Sequence, residues 1–252
     1  MAATGRILEY LRARLVGGPL HLTLIDPDKS TGNRAAEVAR GAAALGSDAI
    51  LLGGSTGISP AGMAHAARSI KASSKLPVII FPQGPDSLTP EADAVLFMSL
   101  LNSRNLDLVI RAQVKAAPEV RTMGLEPIPL GYVVIAPGMR VGEVGAVDTV
   151  PREALPLAQS YALAAEYLGM QFVYLEAGSG APSPVPAPMV HAVRSVLSVP
   201  LIVGGGIRTG PEARALLDAG AQILVTGTVT EEEGLGEGFR GILHEVGRAR
   251  GR

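Results

Sequence analysis

Eight short apolar runs recur along the chain, and stretches with helical periodicity separate most of them. The runs cover residues 20–25, 49–52, 78–81, 94–97, 128–135, 172–175, 201–203 and 223–225. Helical stretches include residues 34–45, 60–72, 106–117 and 211–219. Continuously apolar strands that alternate with amphipathic helices are typical of a parallel sheet covered by helices. Eight such units in 252 residues predict an α/β fold of the (β/α)8, or TIM, barrel type.

The interval between the third and fourth predicted strands is short for a crossover helix. Residues 82–93 are also rich in proline, so we expect the third helix of the barrel to be reduced or missing. No Gly/Ser linker or block of charge divides the chain, and the proline-rich stretch 181–188 is typical of a loop that leads into a helix. We therefore expect residues 1–252 to form a single TIM-barrel domain.

Charge and composition exclude several classes of function. Lysine and arginine number 22 against 23 acidic residues, so no global positive field would attract nucleic acid. The absence of cysteine excludes disulfides, thiolate metal sites and cysteine nucleophiles. Residues 1–10 carry charges at Arg6 and Glu9 and contain no long apolar run, so we expect neither a signal peptide nor a membrane anchor, and a cytoplasmic location.

Catalytic groups of TIM barrels lie at the C-terminal ends of the strands. Asp26 follows the first predicted strand and could hold a divalent cation there, or form an Asx turn before the next helix. Pro27 favours an extended Asp26, which leaves Asp28 as the better candidate for the turn. After the second strand, residues 53–57 form a turn of small residues. Its backbone amides and the Ser55 hydroxyl could approach a diphosphate or its metal ion, or it could be an ordinary turn.

The sixth predicted strand runs into the richest chemical segment of the chain, residues 174–180. It combines an aromatic hydroxyl at Tyr174, a carboxylate at Glu176 and a flexible glycine turn. Glu176 could face a ligand hydroxyl at the barrel rim, or could be a solvated rim residue. The four histidines are scattered, with no spacing that indicates a zinc site or a catalytic triad.

Glycine turns also follow the seventh and eighth predicted strands, at residues 204–206 and 227. Main-chain amides at these two positions form the usual phosphate site of TIM barrels. Two such turns in the expected order predict that the chain binds a phosphate group.

These segments resemble the geranylgeranylglyceryl phosphate synthase family, which also includes bacterial heptaprenylglyceryl phosphate synthases. The matching motifs are LIDPDK at 24–29, GGS at 53–55, YLEAGSG at 174–180, GGGI at 204–207 and GT at 227–228. One branch of the family has a lysine two positions before the metal-binding aspartate. This chain has Leu24 there, which places it with the second branch.

The resemblance implies a prenyltransferase that joins geranylgeranyl diphosphate to the C3 hydroxyl of sn-glycerol 1-phosphate in archaeal membrane lipid synthesis. It implies Mg²⁺ bound by Asp26 and Ser55, and it supports Asp26 and Glu176 as catalytic residues. It further implies a homo-oligomer, a dimer or larger. The residues implied to hold glycerol 1-phosphate are Tyr174, Leu175, Glu176, Ala177, Gly178, Ser179, Gly180, Gly205, Gly206, Gly227 and Thr228.

A long prenyl chain also requires an apolar groove, for which residues 97–101 and 128–135 are candidates. Exposure of such a groove predicts peripheral contact with a membrane that carries the substrate. Two other functions remain open from the residues: a phosphate-binding barrel isomerase or lyase, and a non-catalytic isoprenoid or phospholipid carrier. A carrier would need neither a metal-binding carboxylate nor a base.

Overall fold

A closed parallel barrel, with its strands in chain order, forms the centre of the molecule. The computed structural model describes residues 5–30, 32–54 and 59–251. Every predicted run corresponds to a strand and agrees with its bounds to within a few residues. The strands are β1 (Leu20–Ile25), β2 (Ala49–Leu52), β3 (Val78–Ile80), β4 (Ala94–Leu100), β5 (Glu126–Val134), β6 (Phe172–Glu176), β7 (Leu201–Gly204) and β8 (Ile223–Thr226).

Helices surround this barrel, and the four predicted helical stretches are all confirmed. The helices are α1 (Arg6–Val16), α2 (Gly32–Leu45), α3 (Pro60–Ser73), α4 (Ala112–Met123), α5 (Met139–Val144), α6 (Leu155–Tyr167), α7 (Ala187–Arg194), α8 (Gly210–Asp218), α9 (Thr228–Glu233) and α10 (Glu237–Arg250). A π-helical turn, Asp107–Arg111, leads into α4. The proline-rich stretch 181–188 leads into α7, as expected.

The segment between β3 and β4 contains only the 3₁₀ turn Pro85–Ser87. A barrel of this type would have a full helix there, so the expected loss of the third helix is confirmed. As a consequence, the outer face of β4 lacks the helix that would normally cover it on this side.

Alternate residues of each strand face the barrel interior and the surrounding helices. In β4, Leu96 and Leu100 belong to the interior cluster of apolar residues, whereas Val95 and Phe97 pack in the outer one. This alternation explains why the strands are apolar on both faces: one face packs in the barrel interior and the other in the outer cluster.

Helix α1 lies across the N-terminal end of the barrel, an element not expected from the sequence. Its residues Ile7, Leu8 and Leu11 are buried in the interior cluster. The side chain of Glu126, at the start of β5, accepts hydrogen bonds from the amides of Ile7 at 2.7 Å and Leu8 at 2.8 Å. These bonds satisfy amides that have no partner within the helix, so α1 closes the end of the barrel opposite to the strand C-termini.

A buried carboxylate at the same end joins the two terminal helices. Asp48 is fully buried before β2, and its Oδ1 accepts from Arg14 Nη2 of α1 at 2.5 Å. Its Oδ2 accepts from Arg250 of α10 and from the amide of His21 at 2.9 Å. Burial, followed by the positive charge of Arg250, lowers the pKa of His21 to about 3, so the imidazole stays neutral. The cluster fixes α1 and α10 to β1 and β2.

Replacing Asp48 with alanine should lower the free energy of unfolding by about 3 kcal/mol, because it leaves a buried amide and two arginines without their acceptor. Denaturant unfolding of the variant measures this loss. The control is Asp148→Ala, which removes a solvent-exposed carboxylate 3.3 Å from Arg104 Nε and should cost less than about 1 kcal/mol. Equal losses in the two variants would contradict the role of the Asp48 cluster.

Candidate active site

Asp26 lies at the rim of the barrel, immediately after β1, and is 7% exposed. Its Oδ1 accepts a hydrogen bond from the amide of Asp28 at 3.0 Å. Asp26 itself therefore forms the Asx turn, for which Asp28 was the better candidate from the sequence. Burial raises the pKa of Asp26, although the amide of Asp28 and the charge of Lys29 act in the opposite direction.

The turn after β2 brings its main chain against the Asp26 carboxylate. A Cβ placed on Gly54 would lie 2.3 Å from Asp26 Oδ2, so glycine is required for this close approach. Ser55, the second predicted metal ligand, lies outside the described residues. Of the two predicted metal ligands, Asp26 is therefore the one that lies within the described residues.

Glu176 is the last residue of β6 and is 6% exposed. Its Oε1 accepts from the amide of Gly178 at 2.6 Å, and the hydroxyls of Tyr132 and Tyr174 also donate to this carboxylate. Burial raises the pKa of Glu176, while these three hydrogen bonds lower it again in part. Glu176 is thus a buried carboxylate aimed into the barrel, and it is not a solvated rim residue.

Two buried tyrosines contact the Glu176 carboxylate from the interior of the barrel. Tyr132 and Tyr174 pack edge to face, with ring centroids 5.0 Å apart, and Phe81 packs against both rings. Burial, followed by the negative charge of Glu176, raises the pKa of each tyrosine well above its ordinary value. Both phenols therefore remain protonated hydrogen-bond donors to the carboxylate.

The glycine turns after β6, β7 and β8 meet at one side of the rim. Ser179 Oγ lies 3.0 Å from Thr228 Oγ1, which also accepts from the amide of Gly180 at 3.2 Å. Gly205 and Gly206 have φ values of +80° and +70°, and a Cβ at Gly205 would lie 2.2 Å from Glu176 Oε1.

These turns leave main-chain donors available beside Glu176. The amides of Gly205, Gly206 and Gly227 donate no hydrogen bond to any described residue. A small anion could therefore accept hydrogen bonds from them.

The predicted substrate-binding residues divide into three groups. Those that line the cavity at the rim are Tyr174, Glu176, Ser179, Gly205, Gly206, Gly227 and Thr228. Leu175 and Ala177 instead pack in the outer core cluster, because alternate residues of β6 face the helices. Gly178 and Gly180 act through their main chain, by the hydrogen bonds given above. Leu175 and Ala177 can contribute to a ligand only through main-chain atoms.

A single cavity of about 240 Å³ joins this polar rim to an apolar groove. The groove follows the outer face of β4, where Val95 and Phe97 line it, and α4 contributes Ala112, Ala116 and Val120. The groove exists because no helix fills this position between β3 and β4. Of the two candidate segments for a prenyl groove, 97–101 contributes Phe97, Met98 and Leu100, whereas 128–135 contributes only Tyr132 among the lining residues.

Several cavity residues were not identified from the sequence. Lys29, Arg208 and Glu231 line the rim, and Lys29 Nζ lies 2.7 Å from Glu231 Oε2. Lys29 stands within the motif that contains Asp26, so its position could have suggested it. Tyr132 gave no such signal, since it lies in the middle of an apolar strand.

Taken together, the barrel, the free glycine amides and the two buried carboxylates define a phosphate-binding TIM-barrel enzyme. The PcrB family model matches residues 10–245, and the chain belongs to this family. It is 48% identical to geranylgeranylglyceryl phosphate synthase of Thermococcus kodakarensis over 98% of both chains, and 50% identical to that of Pyrococcus horikoshii over 90% of both. The resemblance found from the motifs is thereby confirmed.

Solved structures agree with this family assignment. The (S)-3-O-geranylgeranylglyceryl phosphate synthase of Thermoplasma acidophilum, solved in complex with its substrate sn-glycerol-1-phosphate, superimposes with a TM-score of 0.92. The two chains are 45% identical, and the match covers 95% of this chain and 98% of the other. In the described part of the chain, no helix is long and apolar enough to cross a membrane.

Proposed function

We propose that this protein transfers the geranylgeranyl group from its diphosphate to the C3 hydroxyl of sn-glycerol 1-phosphate, the first ether-bond step of archaeal membrane lipid synthesis. The observation that carries the proposal is the cavity itself, which joins free glycine amides and two carboxylates to an apolar groove. The names of the full-length relatives and the glycerol phosphate bound in the Thermoplasma structure support it.

The phosphate of glycerol 1-phosphate would bind the amides of Gly205, Gly206 and Gly227, with Thr228 beside them. These donors are fixed by main-chain geometry, so binding the phosphate also sets the position of the glycerol hydroxyls. Positioning of two reactants in this way can supply a large share of the rate enhancement.

Glu176 lies beside this anion site and would act on the attacking hydroxyl. The C3 oxygen forms a bond to C1 of the prenyl chain, the bond from C1 to the diphosphate oxygen breaks, and the hydroxyl proton passes to Glu176. A buried carboxylate with a raised pKa is a better proton acceptor than an exposed one. The tyrosine hydroxyls hold the carboxylate in place and keep their own protons.

Magnesium is the proposed cofactor, and the donor set fits it. Among the described residues, no group of three or more His, Asp or Glu side chains could hold a metal ion. Mg²⁺ is commonly bound by one or two carboxylates together with substrate phosphates, which fits Asp26 and an arriving diphosphate, with Ser55 as a second proposed ligand. When bound, the ion would stabilise the negative charge that grows on the leaving group.

The prenyl chain would lie in the groove between β4 and α4. Burial of each CH₂ contributes about 0.8 kcal/mol, so even partial burial of a long chain gives strong binding. The groove opens at the rim beside Asp26, which places the diphosphate end of the donor close to the proposed metal ligand.

Incubation of the protein with labelled sn-glycerol 1-phosphate, Mg²⁺ and a series of prenyl diphosphates tests the proposal. The expected result is a labelled, organic-soluble prenylglyceryl phosphate whose formation requires both Mg²⁺ and the allylic diphosphate. Binding of both compounds without product would favour a carrier. Turnover of a sugar phosphate with no need for a prenyl donor would favour the isomerase or lyase alternative.

Other expectations from the sequence belong to the same proposal. They are a single domain over residues 1–252, a cytoplasmic location, peripheral contact with the membrane that supplies the prenyl donor, and a homo-oligomer.

A further inference from the structure

Five charged side chains line the cavity at the rim: Asp26, Lys29, Glu176, Arg208 and Glu231. Among the described lining residues, three carboxylates therefore face two cations. The proposed reaction brings a diphosphate and a phosphate monoester into this space, and a nearby cation would favour the binding of either anion. The positions of Lys29 and Arg208 thus show where a cationic side chain can assist the binding of these anions.

The two cations follow different strands, β1 and β7, which both neighbour β8, and they pair with adjacent residues of α9: Lys29 with Glu231, and Arg208 Nε with Glu232 at 3.7 Å. Lys29 follows β1, three residues after Asp26, and its charge lowers the pKa of that carboxylate. Arg208 follows β7, and its Nη1 donates to the carbonyl of Ala181 at 2.5 Å, next to the glycine turns. Lys29 therefore lies near the proposed metal ligand Asp26, and Arg208 lies next to the glycine turn after β6.

The ammonium of Lys29 forms an ion pair with Glu231 but is not held rigidly by it. Its Nζ lies 2.7 Å from Oε2 of Glu231, and the two side chains are 55% and 19% exposed. Ion pairs at exposed positions contribute little to stability, and the lysine stem is flexible. An anion with more charge than a single carboxylate can therefore displace Glu231 from the ammonium.

We propose that Lys29 binds the diphosphate of the prenyl donor, and that Glu231 holds the ammonium at the rim until this anion arrives. The inference rests on the proposed function. When the bond between C1 and the diphosphate oxygen breaks, the electron pair stays on the diphosphate, and Lys29 donates hydrogen bonds to it without giving up its proton. Lys29 thus stabilises the leaving group beside the proposed metal ligand Asp26.

Titration calorimetry with inorganic pyrophosphate and Mg²⁺ tests this assignment without turnover. Lys29→Ala should weaken pyrophosphate binding at least about tenfold, as expected for loss of a charged hydrogen-bond donor. Glu231→Gln should leave binding unchanged or tighter, because it frees the ammonium. The matched control is Lys71→Ala, which removes a lysine of similar exposure, 44%, paired with Asp93 at 2.9 Å and absent from the cavity lining.

Unchanged pyrophosphate binding in Lys29→Ala would overturn the proposal. Equal losses in Lys29→Ala and Glu231→Gln would also overturn it, because the ion pair would then act only as a structural link. Lys29→Arg should restore part of the affinity, since it returns a cation to the same position.

Steady-state kinetics separates this proposal from the proposed function. In Lys29→Ala, the KM for the prenyl diphosphate should rise about tenfold or more, while the KM for sn-glycerol 1-phosphate stays within about twofold. An equal rise in both constants would contradict the assignment. If the wild-type protein formed no prenylated product and Lys29→Ala still weakened pyrophosphate binding, the proposed function would fail and the role of Lys29 would stand.

Discussion

Asp26→Ala is expected to reduce magnesium-dependent turnover by about a thousandfold or more, because several kcal/mol of charge stabilisation on the leaving group would be lost. The fold should be retained, since the carboxylate accepts only the amide of Asp28 in the described structure. Initial rates at saturating prenyl diphosphate, measured over a range of Mg²⁺ concentrations, give the size of the effect.

Asp28→Ala provides the control for this variant. Asp28 lies in the same turn but is exposed, and its side chain does not line the cavity. We expect its turnover to remain within about threefold of the wild type, as for a surface substitution away from the chemistry. Retained magnesium-dependent product formation in Asp26→Ala would remove Asp26 from the mechanism.

Glu176→Gln should lower kcat by about a hundredfold to ten thousandfold, the usual contribution of a general base. Glutamine keeps the size of the side chain and an oxygen that can accept from Gly178, so binding of sn-glycerol 1-phosphate should weaken much less than catalysis. Single-turnover rates and calorimetric titration of sn-glycerol 1-phosphate measure the two effects separately. Glu143→Gln, at an exposed site on α5, is the matched control. Equal losses in binding and catalysis, or no loss in either, would be inconsistent with the proposed base.

The pH dependence of kcat/KM should show the same group in the free enzyme. Because burial raises the pKa of Glu176, its basic form is lost at a higher pH than for an ordinary glutamate. The rate should therefore fall as the pH is lowered through a midpoint above 4.5, the ordinary value. In Glu176→Gln, the part of this acid limb that belongs to Glu176 should disappear. An unchanged profile in the variant would assign the limb to another group, of which Asp26 is the first candidate.

The barrel could be predicted from the sequence because its strands carry apolar residues on both the interior and the outer face and are therefore continuously apolar. Helix α1 was not expected, because its role at the bottom of the barrel depends on contacts with β5 and with the interior cluster. The pairing of Glu126 with the amides of Ile7 and Leu8 spans more than 100 residues, and no local pattern indicates such a contact.

Part of the site could also be predicted, because of the geometry of the barrel. Strand ends of a barrel converge on one rim, so Asp26, Glu176 and the glycine turns could be grouped from the sequence alone. The alternation of strand residues, which places Leu175 and Ala177 in the outer cluster, can be read from the sequence. The prediction that both residues bind glycerol 1-phosphate came instead from the family motif. The pairing of Lys29 with Glu231, 202 residues apart in the chain, depends on the closure of β8 against β1 and has no local signature.

Because the helix between β3 and β4 is missing, a bound lipid would occupy the position of a structural element of the barrel. Under the proposed function, the hydrocarbon chain of the donor covers the outer face of β4, where other barrels have a permanent structural element. A ligand that binds only the native state stabilises it by about 2.7 kcal/mol at a hundredfold excess over its dissociation constant. Saturation with substrate would then protect this wall of the barrel against heat, and release of the product would return it to its less stable, uncovered state.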